Sequence, residues 1–224
     1  MKTATTAGDR RGVWRLPRYI LNFEARIDDA LDAFAASLAP GALLLDAGAG
    51  EAQHRARFPG QRYVAVDLAV GDGQWDYSRL DALADLQALP FPDQSFDAAL
   101  NIVTLEHVRE PKLVLREIAR VLKPGGRLLL VVPLEWEVHQ APHDYFRYTR
   151  PGLEYLLGEA GLRIEWIHPA GGIFRLLSRR MLSAIKVHWI AALLAPLALL
   201  LPLLDGLDRE RNSTLGYLGV ARKG

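Results

Sequence analysis

The stretch Leu43–Glu51, Leu-Leu-Leu-Asp-Ala-Gly-Ala-Gly-Glu, limits what this chain can fold into more than any other. A short apolar run closing on Asp46, then a turn interrupted by Gly48 and Gly50, has the pattern of a buried parallel strand followed by a loop where bare backbone approaches a ligand. A dinucleotide-binding turn wants a third glycine three residues after the second, and Gln53 stands there instead. Asp46 and Glu51 border the turn with negative charge. That charge opposes a pyrophosphate and suits a cationic amine or sulfonium.

The rest of the chain alternates helix and strand patterns around this turn. Asn22 suits an N-cap, and Phe23, Ile27, Leu31, Phe34 and Leu38 recur on one helical face until Pro40 and Gly41 stop it. Strands are expected at 42–46, 63–67, 82–86, 95–103 and 127–133, with a short helix over 52–58 and a loop over 67–82. Asp67 ends the second strand 21 residues after Asp46, where ribose-binding acids fall in nucleotide-binding α/β units. Asp85 ends the third, weaker strand and could accept an exocyclic amine. Leu105-Glu106-His107 follows the fourth. Pro111 opens a helix to Leu122, stopped by Lys123-Pro-Gly-Gly126. A further helix over 149–160 and strands at 162–167 and 214–220 complete an α/β pattern with a parallel sheet between helices.

At 224 residues, half of them apolar, the chain can bury one sizeable domain plus an appendage. Lys and Arg number 27 against 26 Asp and Glu, so no global charge draws a nucleic-acid partner. Cysteine is absent, which excludes disulfides, a thiolate nucleophile and Cys-ligated zinc, and fits a cytoplasmic protein. The polar residues 1–12 lack the apolar core of a signal peptide and belong to a tail expected over 1–21.

Taken together, Asp46-Ala-Gly-Ala-Gly50, Asp67, Asp85 with Leu89-Pro-Phe-Pro-Asp93, Ser95-Phe-Asp97, Leu105-Glu-His-Val108 and Arg120-Val-Leu-Lys-Pro-Gly-Gly126 form an ordered series. The series resembles the class I S-adenosylmethionine-dependent methyltransferases, specifically the type 11 group, over residues 40 to 165. The resemblance implies a Rossmann-like, seven-stranded, mostly parallel sheet with helices on both faces, and S-adenosyl-L-methionine laid across the strand ends. In that frame Gly48 and Gly50 meet the methionine moiety, Asp67 holds the ribose hydroxyls, Asp85 with Leu86 frames the adenine, and Asp46 orients the first loop. The segment after Asp67 is shorter than the family's, leaving Trp75 either as the cover of the adenine face or as a packed aromatic.

On the acceptor side, the run from His139 to Thr149 clusters aromatic and ionisable residues in a loop above the strand ends, where substrate contacts usually lie. His143 or His107 is the candidate general base, with Asp144, Tyr145 and Arg147 shaping the acceptor site. The alternative is that His143 and Asp144 tie the loop together and His107 is a helix-end hydrogen-bonder. A metal set of His139, His143 and Asp144 is not expected, because Pro142 prevents the helix that would align the two imidazoles.

Between the sixth and seventh strands lies an apolar helical insertion. Phe174, Leu177, Met181 and Ile185 share one helical face, with Arg175, Arg179 and Lys186 on another. Residues 189–204 carry no charge, yet Pro196 and Pro202 interrupt them, each costing a continuous helix about 3 kcal/mol. A single crossing would also strand the last strand on the wrong side of a bilayer. The expected organisation is therefore a tail (1–21), a methyltransferase domain (22–172), an insertion (173–210) and a final strand (211–224). The insertion is expected to return as a helical hairpin or broken helix. It would contact the inner membrane face peripherally through 173–204, with its basic residues at acidic headgroups and Trp189 at the boundary, or form a homodimer through the same surface. The corresponding function is methyl transfer to a small-molecule, amphipathic or lipid-linked acceptor, such as a glycan intermediate. The alternatives are a prenylated-quinone methyltransferase and a non-catalytic membrane scaffold.

Overall fold

Among the residues described by the computed structural model, 22–71, 73–184 and 188–224, seven strands join in one sheet. They are β1 (Leu43–Ala47), β2 (Arg62–Asp67), β3 (Ala82–Leu83), β4 (Phe96–Ile102), β5 (Leu122–Pro133), β6 (Leu162–Pro169) and β7 (Gly216–Lys223), in the order β3-β2-β1-β4-β5-β7-β6. The first five run parallel, and β7 lies antiparallel between β5 and β6. The sequence expectation of a mostly parallel sheet with helices on both faces is met. The tail over 1–21 lies outside the described residues.

Side-chain alternation distributes the core. On β5, Leu128, Leu130 and Val132 pack with Val114, Leu115 and Ile118 of helix α2 (Pro111–Val121) and with Leu153 and Leu157 of α3 (Arg150–Glu159). Their neighbours Leu129 and Val131 pack on the opposite face with Phe23, Ile27, Leu31 and Phe34 of α1 (Asn22–Ser37). Period-two alternation on a sheet and period-3.6 recurrence on the helices thus meet on each face.

Local departures from expectation have identifiable causes. The predicted helix over 52–58 is a set of turns ending in a 3-10 segment at Arg55–Arg57. Ala52 is left-handed there (φ +54°), and the few residues before Pro59 are too short to nucleate a helix. The third strand is paired over only two residues, because Asp85 turns back to accept the Gln87 amide at 2.9 Å. The Lys123–Gly126 stop signal sits inside β5 rather than before it. Pairing there moves from Phe96↔Leu122 to Ala98↔Arg127, two steps along β4 against five along β5, so the turn residues bulge out and the strand resumes.

The insertion forms α4 (Ile173–Ala184), α5 (His188–Leu200) and a 3-10 segment at Leu201–Leu207. It does return on itself. Pro202 has no N–H to give the Ala198 carbonyl, and the Ser178 hydroxyl of α4 donates to that carbonyl at 2.6 Å. Buried Asp205 accepts from the backbone amides of Gly172 (3.0 Å) and Arg175 (3.2 Å) and from the Arg175 guanidinium (3.2 Å), anchoring the far end to the near one.

The arginines expected to face lipid headgroups turn inward to protein partners instead. Arg175 meets Asp205, Arg179 pairs with Glu24 and lies 3.9 Å from the Trp136 ring centroid, and Arg180 pairs with Glu137. Ile185 and Lys186 lie outside the described residues, as does the side chain of Trp189. What faces outward is a stripe of Leu193, Leu197, Leu200, Leu204 and Leu207, each more than 40% exposed. No helix among the described residues is long and apolar enough to cross a membrane.

Removing the Asp205 carboxylate takes away an ion-pair partner of Arg175 and the acceptor of the Gly172 amide. We expect Asp205→Ala to lower the local stability of 173–207 by about 2–3 kcal/mol, seen as faster amide exchange confined to that segment. Exchange unchanged there would remove the anchor role.

Candidate active site at the carboxyl ends of the strands

The carboxyl ends of β1, β2 and β4 open onto a cavity of about 480 Å³, where open α/β sheets bind their ligands. Its floor is the turn after β1. Gly48 has φ +88°, and a Cβ added there would lie 2.1 Å from Thr104 Cγ2, so any side chain is excluded by conformation and by contact. Gly50 is also left-handed, with the Trp75 ring 3.3 Å from where a Cβ would be. Trp75 itself lines the cavity and tilts against Tyr77.

Asp67 stands at the wall, its carboxylate fixed from both sides. The Gly50 amide donates to Oδ2 at 2.9 Å and the Ala69 amide donates to Oδ1 at 2.8 Å. Each oxygen keeps a second lone pair for a ligand hydroxyl. Asp85 and Leu86 line the same cavity, Leu86 buried and Asp85 held by Gln87. Glu51 also reaches it, accepting the Asp76 amide at 2.9 Å.

Asp46 differs from its expected place bordering the pocket. It lies beneath the turn, 1% exposed and outside the cavity lining, where the Tyr63 hydroxyl donates to Oδ2 and Oδ1 has no partner. Burial pushes its carboxyl up to about 7, so near neutral pH it supplies only part of the negative charge read from the sequence.

The opposite wall is built from the 3-10 turn Leu105–His107 and the loop that follows β5. The Glu106 carbonyl accepts the Tyr145 amide at 2.9 Å, the Tyr148 hydroxyl donates to the Leu105 carbonyl at 2.7 Å, and His107 Nδ1 bonds the His143 carbonyl at 2.6 Å. These ties bring His107 and His143 into the cavity together with His139. Asp144, Tyr145 and Arg147 do not line it. Asp144 is buried in a two-oxygen pair with Arg147 (2.6 and 2.8 Å) and also accepts the His139 amide, which holds its carboxyl well below the usual range. Tyr145 pairs its hydroxyl with His143 Nδ1 and Arg109. All three hold the loop's shape.

Sequence reading gave no role to Glu106, Thr104 or Trp136. Glu106 is fully buried, neither carboxylate oxygen has a partner, and burial pushes it up to about 8. Burial also lowers the neighbouring His107 imidazole. An acid between Leu105 and the apolar Val108 at a strand end was the available signal. Thr104 and Trp136 carry no motif, and only the fold brings them to the cavity.

Comparison with known proteins agrees with this geometry. A family model described as "Methyltransferase domain" matches residues 45–130. Demethylmenaquinone methyltransferase of Renibacterium salmoninarum is 40% identical over 97 residues, 41% of this chain and 41% of that protein. The chain spans less than half the length of several curated relatives it matches. Among solved structures, a Burkholderia thailandensis 1,6-didemethyltoxoflavin-N1-methyltransferase with bound S-adenosylhomocysteine superposes with a TM-score of 0.56 at 18% identity, covering 100% of this chain and 93% of that one. The [4+2]-cyclase SpnF superposes as well, with a TM-score of 0.57 at 23% identity over 100% and 98% of the two chains. The fold is therefore shared by proteins of different chemistry.

The two buried acids each contribute a pH dependence of known sign, opposed by the half-buried His54 imidazole, which burial lowers to about 4. Asp46 and Glu106 bind protons more tightly folded than unfolded, so the folded state holds the extra protons between pH 4 and 8 and their contribution to stability falls as pH rises through that window. We expect wild type to lose stability relative to Asp46→Asn as pH rises from 5 to 8, by on the order of 3 kcal/mol. An unaltered pH profile in the variant would show that Asp46 titrates normally.

Proposed function

We propose, from the premise that this chain carries a class I methyltransferase domain of the type 11 group, that it transfers a methyl group from S-adenosyl-L-methionine to an amphipathic or lipid-linked acceptor. The observation that carries the reading is the Asp67 carboxylate, clamped by two backbone amides beside a turn that admits no side chain at Gly48. A carboxylate so held suits a ribose diol, accepting both hydroxyls at once. Gly48 and Gly50 leave room for the amino-acid end of the cofactor, and Asp85 with Leu86 stands where the adenine edge would be read. Bound there, S-adenosylmethionine supplies a methyl group already activated on a sulfonium.

The chain's own contribution is mainly position. For a hydroxyl acceptor, His143 is the favoured proton acceptor. It lines the cavity half-exposed, whereas the free nitrogen of His107 is buried and turned toward Glu106. Asp144, Tyr145 and Arg147 would shape the acceptor end by holding the loop.

The acceptor class rests on the outward leucine stripe of the insertion, whose Arg179 stacks on the cavity-lining Trp136. Such a surface suits a lipid interface or a second copy of the chain. A prenylated quinone is a second reading, favoured by the demethylmenaquinone methyltransferase named among the relatives.

By calorimetry, S-adenosylhomocysteine should bind wild type, and Asp67→Ala should weaken it by about 10- to 100-fold. Equal affinity in the variant would sink the cofactor assignment. Radiolabelled methyl transfer into a membrane extract should yield a lipid-soluble product, reduced at least tenfold in His143→Ala. Tight cofactor binding without any labelled product would favour a scaffold. The wild type should also float with anionic liposomes, and Leu193→Lys with Leu197→Lys should abolish flotation; wild type left at the bottom of the gradient and dimeric would favour self-association.

A further inference from the structure

Behind the cavity wall, buried Glu106 converges with His107 and His139, which line it, without the three being satisfied by one another. We propose that they hold a first-row divalent metal ion, of the Zn²⁺ or Fe²⁺ class, at the acceptor end of the cavity. One ligand atom from each residue lies within 4.8 Å of those of the other two, and Glu106 Oε1 is 3.7 Å from His107 Nε2. That is too long for a hydrogen bond and close to the separation of two ligands sharing one ion at about 2.0–2.2 Å.

The protonation pattern prepares both imidazoles. His107 Nδ1 faces the His143 carbonyl at 2.6 Å, and His139 Nδ1 faces the Glu137 carbonyl at 3.1 Å with Asp144 Oδ2 at 3.4 Å. Only acceptors stand there, so each Nδ1 carries the proton and each Nε2 is left with its lone pair. A carbonyl or carboxylate behind a ligating imidazole is the usual supporting arrangement of metal-bound histidine. The rings meet edge to face with centroids 4.7 Å apart.

Glu106 supplies the independent indication. It is 0% exposed, and both of its carboxylate oxygens, like His107 Nε2, lack any hydrogen-bond partner. Leaving one such group unsatisfied is costly, and these three orphan atoms side by side are what a cation would satisfy at once, displacing the proton that Glu106 otherwise keeps. Two imidazoles and one carboxylate form a donor set found for zinc and for non-haem iron(II) in sites that keep open positions. Because His107 and His139 line the cavity, those open positions would face an acceptor oxygen. This last role rests on the methyl-transfer reading, whereas the site itself does not.

The test is Co²⁺ and Zn²⁺ titration of tag-free, chelator-stripped protein, with neither cofactor nor acceptor present, so that its failure is separable from failure of the methyl-transfer reading. We expect about one Co²⁺ per chain with visible ligand-field absorption, displaced by Zn²⁺, and a raised melting temperature. Glu106→Gln and His139→Ala should each weaken binding more than tenfold while the circular dichroism spectrum of the metal-free protein, which reports an intact fold, is unchanged. Should Glu106→Gln fail to fold, His139→Ala, at a half-exposed ring, carries the comparison. No Co²⁺ absorption in wild type, or variants that bind as well as wild type, would overturn the site.

Discussion

Burial of β1 on both faces is the constraint from which the site follows. β1 lies between β2 and β4 and is covered by apolar side chains above and below, so its ligand-facing groups can emerge only at its carboxyl end. The turn there must also clear Thr104, which projects from the loop after β4, and glycine at 48 is what permits it. The same closeness exposes the backbone amides that fix Asp67, one of them from Gly50. Sheet order, turn geometry and carboxylate orientation are thus consequences of one packing arrangement.

The acids in and behind the cavity wall are in two different electrostatic states. Asp67 is held by amide donors and stays available to a ligand, while Asp46 and Glu106 are sunk among apolar neighbours that favour their neutral forms. On the acceptor side, Asp144 is held ionised by Arg147, which fixes the loop carrying His139 and His143. The loop's ionisable residues therefore divide between shaping the backbone and facing the cavity. Sequence proximity alone does not distinguish the two.

The insertion follows a related logic. Its Pro202 removes a backbone donor, and the fold replaces it locally, with the Ser178 hydroxyl filling the Ala198 carbonyl left open. Its arginines are used against Asp205, Glu24 and Glu137, which seats the basic face on the domain and turns the leucines outward. An amphipathic pattern predicts that one face will be buried. It does not predict which face meets the domain when acidic partners are supplied from distant parts of the chain.

The sequence by itself determined the alternating α/β order, Asp67 at the end of β2, and the glycine-interrupted turn at Gly48 and Gly50 that follows β1. These are local properties, set by hydrophobic period and by which residues tolerate positive φ. It also placed His107 and His143 near strand ends without showing that they share a cavity. Tertiary structure alone decided that Asp46 lies under the turn, that β5 runs through its own stop signal, and that Asp144 and Arg147 pair rather than face a ligand. Tertiary structure also set Glu106 beside His107 and His139, with the last brought from 32 positions beyond His107 (139 minus 107). The reason is physical: burial, orphaned lone pairs and charge pairing depend on what distant segments place against a side chain, and no local pattern encodes that.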